Sequence, residues 1–301
     1  MNSLSCLNET VAIHNAESKT NQVQSMILKL LEIIPENFNV NEVQKKYKVT
    51  ELELLNCVLV EEIRLYNKCL NVIRDSLFKL KEAYSGYLMW TDEMEEISED
   101  IFLDLVPKSW KIHISLYTKK LSKFITDLLE RIKFMSNWID NGHPRFYWFG
   151  GMISCKKLLS TIKTIFAREK QVPIDKVAFE FNVLNIKNPV DNVYVSENSI
   201  YVYGLYLLGA KWNEQSKTLT DSKSKILYND MPVISFELTL KKSLNSLNTY
   251  KCPLYISPNL HNSYCNSENL LDNYILSVNL KSNINPKVWI KRGTALYCQT
   301  E

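Results

Sequence analysis

Residues 50–84 read TELELLNCVLVEEIRLYNKCLNVIRDSLFKLKEAY. Leu52, Leu55, Leu59, Ile63, Tyr66, Leu70, Ile73, Leu77, Leu80 and Tyr84 recur at steps of three and four, the period that lines one face of an α-helix. Thr50 and Glu53 stand at the spacing of a capping box, in which a hydroxyl and a carboxylate satisfy amides that the first turn leaves free. The stretch therefore predicts one helix of about 35 residues, ~50 Å long, with Gly86 as its stop. So long an apolar seam must be covered by other helices.

The flanks supply them. Val23, Met26, Ile27, Leu30, Leu31 and Ile34 form a helical stripe closed by Pro35, and Val40, Val43 and Tyr47 mark a short turn. Beyond Gly86 come an acidic helix over 92–104, a long one over 119–139 broken by Asn141-Gly142-His143-Pro144, and a last one over 154–170. After Pro173 the period changes to two. Short β-branched or aromatic runs follow at 177–184, 193–195, 200–208, 226–228, 233–240, 253–256, 274–280, 288–290 and 295–298, separated by polar turns. With no crossover helix among them, they predict an antiparallel sheet curled into a barrel or sandwich. The expected fold class is α+β: an N-terminal α-helical bundle over 1–172, then a C-terminal antiparallel β-barrel over 173–301.

Composition narrows the function. The 301 residues carry a net charge of +3, 46% hydrophobic and 23% charged residues, a globular balance without the basic excess of a nucleic-acid binder. Only 7 are glycine, which argues against a nucleotide-binding core, since phosphate loops need glycine where backbone approaches the ligand. No apolar run is long enough for a membrane span, and the start lacks the pattern of a secretory signal. Seven scattered cysteines (Cys6, Cys57, Cys69, Cys155, Cys252, Cys265, Cys298) read as reduced thiols. His14, His113, His143 and His261 share no metal-ligand spacing.

Four candidate constellations each have a plainer reading. Gly204–Lys211 (GLYLLGAK) is one residue from a phosphate-binding loop, but Ala210 intervenes, no hydroxyl follows Lys211, and the spacer reads as a strand. The carboxylates of 92–104 lack the calcium-loop pattern and read as a solvated face. Lys119, Lys120 and Lys123 form a basic cluster that could meet that face or an acidic partner. Asp140, His143 and Ser154 suggest a triad only superficially, because Ser154 sits where a helix N-cap belongs. Trp90, Trp110, Trp138, Trp148, Trp212 and Trp289 read mainly as core anchors. No catalytic, cofactor-binding or metal residue is assigned.

Several motifs, in order along the sequence, resemble the C-terminal domain of dynein heavy chains. Glu62-Ile63-Arg64-Leu65-Tyr66-Asn67-Lys68 with Ile73-Arg74-Asp75-Ser76-Leu77 is similar to that family's "QE-x-x-R-x-N … I-x-x-SL" helix. Val106-Pro107-Lys108-Ser109-Trp110 matches "VP-x-x-W". Arg131, Phe134, Trp138, Gly142, Pro144, Phe146, Trp148 and Gly150 follow "R-x-x-F…W…G-x-P…FW-x-x-G". Gly204–Trp212 resembles "GLFLEGARW", Cys252–Tyr255 "CPVY" and Trp289–Leu296 "WIKRGVAL". The collinear match spans about 20–301. Departures fall at 114–121, 163–170 and 256–262, so the resemblance does not carry over a ring contact to those stretches.

The resemblance implies a non-catalytic, structural and regulatory domain, with 1–172 holding the end of the last AAA+ module and the helical part, and 173–301 a β-barrel. It implies packing on the AAA+ motor ring and contact with dynein complex subunits. It also implies an indirect role at the microtubule, no cofactor, no nucleic acid and no membrane partner. The motif endings resemble axonemal rather than cytoplasmic dyneins, which implies the cytoskeleton of the cytoplasm, in a ciliary axoneme. The sequence reads as the tail of a heavy chain, a fragment or a split product. A free-standing protein-interaction scaffold derived from such a domain, and a nucleotide binder at Gly204–Lys211, are the other readings.

Overall fold

A computed structural model describes residues 19–48, 50, 53–111, 120–186, 198–241, 249–257 and 273–299. Lys119, Val193, Val195, His14, His113, His261, Cys6, Cys265 and most of the departures at 114–121 and 256–262 lie outside the described residues. Two compact units emerge, one of residues 1–40 with 63–132, the other of 41–62 with 133–301.

The first unit is helical. It holds α1 (19–33), most of α3 (Leu54–Tyr84), α4 (Asp92–Phe102), α5 (Lys108–Lys111) and the first half of α6 (Leu121–Asn141). Ile63, Tyr66, Leu70, Ile73, Leu77 and Leu80 of α3 are each fully buried, so the stripe of the long helix is a core seam. Polar side chains on its middle turns fasten the stretch that follows α1: Arg74 donates to the Ile34 carbonyl at 3.0 Å, and Asn67 brackets the Phe38 backbone at 2.9 and 2.8 Å. The Trp110 indole N–H donates to Ser76 Oγ at 2.9 Å. Burial pushes the Cys69 thiol up to about 12, against the opposing pull of Arg131. That thiol is a core filler rather than a nucleophile. The helix starts at Leu54, not behind Thr50. The expected capping box does not form: the Glu53 carboxylate accepts from Asn56 Nδ2, and the Glu53 amide bonds to the Thr50 carbonyl in a turn.

The second unit holds α2 (Val40–Lys46), the opening turns of α3, the end of α6, α7 (Cys155–Glu169), α8 (Pro286–Lys291) and the strands. Eleven strands are described: β1 (Phe146–Trp148), β2 (Val177–Val183), β3 (Ser199–Tyr203), β4 (Leu205–Leu208), β5 (Lys211–Asn213), β6 (Thr218–Thr220), β7 (Tyr228–Met231), β8 (Ile234–Leu240), β9 (Thr249–Tyr255), β10 (Tyr274–Lys281) and β11 (Ala295–Tyr297).

They do not make the expected antiparallel β-barrel. The strand orders are β1-β3-β8-β2, β10-β9-β11-β4-β7 and β5-β6, and among the described residues no sheet closes on itself. Two of the pairings are parallel, β1 with β3 and β11 with β9. Two breaks in the backbone separate the two larger sheets. The run 200–208, read as one strand, turns at Gly204 (φ +69°), so β3 joins the first sheet and β4 the second. The backbone returns between β7 and β8, across Pro232 and Val233. Strands handed from sheet to sheet leave edges, and the sheets stay open.

Nor do helices and strands segregate along the sequence. Phe146–Trp148, within the helical stretch, pairs with Tyr201–Tyr203. Residues 288–290, expected as a strand, lie in α8, which opens with Pro286 at its first turn and with the Asn285 side chain accepting the Lys287 amide at 3.0 Å. Asparagine then proline is a helix-start signal, and a three-residue apolar run carries no usable period. Trp289, fully buried, donates to Ser282 Oγ at 2.7 Å.

Candidate functional site

Four of the motif residues, Phe134, Trp148, Gly150 and Gly204, meet in the second unit. A β-carbon on Gly150 would lie 2.7 Å from the indole Nε1, one on Gly204 2.6 Å from Cδ1, and one on Gly151 2.9 Å from Cδ2. Three of the seven glycines thus stand where any side chain would strike one tryptophan. Phe134, from α6, meets the same indole edge-on at 6.1 Å. Gly204 combines close approach with left-handed backbone, so Gly204→Ala is expected to cost about 2–4 kcal/mol from strain and overpacking together. Gly293 has φ +65° but open space at its β-carbon, so Gly293→Ala serves as the control for the backbone part alone. Urea unfolding of the two variants separates the effects.

Next to this cradle, Glu62 is wholly buried and accepts the amides of Ile153 (2.9 Å) and Ser154 (2.6 Å). Ser154 is the N-cap residue of α7, as the sequence suggests, yet its hydroxyl makes no capping bond. A carboxylate from α3 does that work, placed where the helix dipole favours negative charge.

The end of α6 is held in the same manner. The Tyr47 hydroxyl donates to the Ile139 carbonyl at 2.8 Å, and Lys46 Nζ donates to that oxygen at 2.6 Å and to the Asp140 carbonyl at 3.2 Å. Trp138, 1% exposed, donates its indole N–H to His143 Nδ1 at 3.1 Å. A cleft of about 480 Å³ lies there, lined by Lys46, Lys48, Glu53, Asn56 and His143 among others. Several of its polar groups are committed: Asn56 bonds to Glu53 and to the Lys48 carbonyl, and Lys46 to α6.

Burial holds the His143 pKa below the ordinary histidine value, against the opposite pull of Glu53. The unfolded polypeptide therefore takes up the proton first, and stability present above the unfolded pKa is lost as pH falls through the folded one. Protonated Nδ1 can also no longer accept from Trp138. The urea midpoint of the second unit should drop between pH 7.5 and 5.5, and His143→Gln should flatten that slope.

The other candidates are placed as follows. Leu205–Leu208 pairs with β11 on one side and β7 on the other, so this segment is the interior strand β4 of a sheet. The exposed carboxylates of α4 are partly matched within their own unit, Glu99 by Lys19 and Glu96 by Lys108. Burial, then Glu96, raises the Asp100 pKa. Among the described residues, neither Lys120 nor Lys123 pairs with that face. Asp140, His143 and Ser154 form no hydrogen-bonded set among themselves; their recorded bonds go to Lys46, Trp138 and Glu62. Trp110, Trp138 and Trp289 are fully buried and Trp212 nearly so, whereas Trp90 is 39% exposed. Sequence reasoning missed Glu62 as a long-range cap. Its one signal was a carboxylate on the apolar side of a helical stripe.

The family model for the C-terminal domain of dynein heavy chains matches residues 1–298. Dynein axonemal heavy chain 3 of Mus musculus is 31% identical over 287 residues, covering 95% of this chain and 7% of that protein. Dynein axonemal heavy chain 12 of the same species is 32% identical over 273 residues, covering 90% and 9%. Dynein axonemal heavy chain 1 of Rattus norvegicus is 32% identical over 282 residues, covering 94% and 6%. The chain thus spans less than a tenth of the length of these relatives. On the family model and these identities, this protein belongs to the family of dynein heavy-chain carboxy-terminal domains.

Proposed function

We propose that this protein is a non-catalytic structural and regulatory domain that packs on the AAA+ ring of a dynein heavy chain and contributes to microtubule-based movement within the dynein complex. The observation that carries the reading is that the shared motif residues are used for packing. Glu62 caps a helix, Trp148 fills a glycine cradle and Leu205–Leu208 is a ladder strand. A rigid body of this kind acts by biasing discrete arrangements of what it touches, because packed interfaces switch rather than deform smoothly. In this reading residues 1–172 hold the end of the last AAA+ module and the helical part, and 173–301 the sheet part. No cofactor or nucleic acid is needed, and contact with the microtubule is indirect. The axonemal relatives favour the cytoskeleton of a cilium as its location. Among the described residues, no helix is long and apolar enough to cross a membrane.

Co-expression with the ring-forming part of an axonemal heavy chain tests this. Co-purification, with no ATP binding by the isolated protein in calorimetry, is the expected result. ATP binding by the isolated protein would overturn the non-catalytic assignment. A second reading, a free-standing interaction scaffold, draws on Tyr87 and Met89, each 87% exposed just ahead of acidic α4. A stable monomer that ignores the ring would favour it.

A further inference from the structure

The five-stranded sheet of the second unit has two unlike faces. Tyr274 on β10 opposes Tyr255 on β9, Tyr255 opposes Tyr297 on β11, Tyr297 opposes Tyr206 on β4, and Tyr206 opposes Asp230 on β7. Opposed residues share a face of the sheet. One row of side chains crossing all five strands is therefore four tyrosines ending in an aspartate. The adjacent row of Leu254, Leu296 and Leu207 is fully buried and belongs to the other, core-facing side.

The rings form a contiguous cluster. Tyr255 stacks on Tyr297 with centroids 5.7 Å apart and planes 27° from parallel, and Tyr274 meets Tyr255 edge-on at 5.9 Å. Tyr228, on β7 and on the same face as Asp230, stands at 90° to Tyr297 with centroids 6.1 Å apart. Tyr297 is buried and forms a floor; Tyr206, Tyr228 and Tyr255 are half-buried, and Tyr274 and Asp230 are exposed. The row is neutral until its end. Asp230 forms no ion pair among the described residues. Lys251, the next charge along this face of β9, lies two rows away, past Pro253.

We propose that this face docks a proline-rich segment in the polyproline II conformation, with a basic residue at the end that meets Asp230. Neighbouring strands lie about 4.8 Å apart, so alternate rings of the row recur at about 9.6 Å. A polyproline II turn is three residues of about 3.1 Å each, so prolines three apart recur at about 9.3 Å. The two repeats match. Such a segment makes no internal hydrogen bonds and presents its carbonyls, to which phenol hydroxyls can donate. A helix satisfies its own carbonyls, and an added strand needs a sheet edge rather than a face. The aspartate supplies the charge complement for an arginine or lysine flanking the prolines.

The test uses the intact protein and a fluorescein-labelled polyproline peptide with arginine at both ends. About ten residues, at ~3.1 Å each, are enough to cross the row. Fluorescence anisotropy compares it with a glutamate-ended polyproline and with an arginine-ended Gly-Ser peptide of the same length. The arginine-ended polyproline should bind roughly tenfold tighter than either. Tyr206→Ser and Tyr255→Ser should each weaken it by roughly tenfold. Asp230→Lys, at an exposed position, should reverse the preference between arginine and glutamate ends. Binding no tighter than that of the Gly-Ser peptide, or an end preference indifferent to Asp230→Lys, would overturn the proposal. So would loss of ring co-purification in Asp230→Lys when neither polyproline binds, which would assign the face to the ring. The peptide readings themselves are independent of ring binding.

Discussion

Glu62→Leu should lower the unfolding free energy of the second unit by about 3–5 kcal/mol, because two part-buried amides at a helix start lose a buried carboxylate acceptor at once. The carboxylate is wholly buried and receives the Ile153 and Ser154 amides at 2.9 and 2.6 Å. Leucine fits the volume but offers no lone pair, and the Ser154 hydroxyl makes no capping bond. Glu62→Gln keeps one acceptor oxygen and should lose roughly half as much, about 1–3 kcal/mol. Urea melts with an unchanged slope and a lowered midpoint would measure the loss. Amide hydrogen exchange localises it: the first turn of α7 should exchange faster in Glu62→Leu, while strands such as β8 change only with global stability. Normal protection at Ile153 and Ser154 in the leucine variant would show that the cap is dispensable.

Leu70→Asp should be equally severe in the first unit, about 3–5 kcal/mol, through a lost apolar contact and a buried charge without a partner. Leu70 is fully buried and flanked along the stripe by Tyr66 and Ile73, also fully buried. The aspartate would escape part of the penalty by holding its proton, so its folded pKa lies above the unfolded one. The variant's deficit is then smallest below the unfolded pKa and grows as pH rises through the folded value. Thermal melts at pH 4.5 and 7.5 should therefore differ more for Leu70→Asp than for the parent protein. Leu70→Met, of similar volume, should cost less than about 1.5 kcal/mol. An aspartate variant that melts like the parent would place that face in water.

The seam of α3 was readable because a run of 31 residues averages over local accidents, and a 3.6 period of large apolar groups has few other solutions. Family membership was readable for a different reason. Trp138, Gly142, Trp148, Gly150 and Gly204 are residue types whose shape is hard to replace, so their order along the sequence is itself a signature. The short elements were less legible. Three-residue β1 and six-residue α8 each span only one or two periods, and which structure they take depends on a partner distant in sequence, Tyr201–Tyr203 for the first.

Barrel closure was misjudged on similar grounds. Alternation predicts strands and the face each side chain takes, but says nothing about which edge finds which neighbour. Gly204 was visible in the sequence as a glycine in a strand-like run; only the fold turned it into the point where the backbone leaves one sheet for the other. The candidate site divides in the same manner. The aromatic and glycine positions could be named in advance, whereas the 91-residue reach from Glu62 to Ile153 could not.

By itself the sequence determined the helical seam, the change of period after Pro173 and the family, since each is written in residues near one another or in an ordered series of irreplaceable shapes. Tertiary structure alone decided the open sheets, the cap that Glu62 lends to α7 and the hold of Lys46 and Tyr47 on the end of α6. Each of these depends on groups brought together across long stretches of sequence, and no local rule sets the free energy of such meetings.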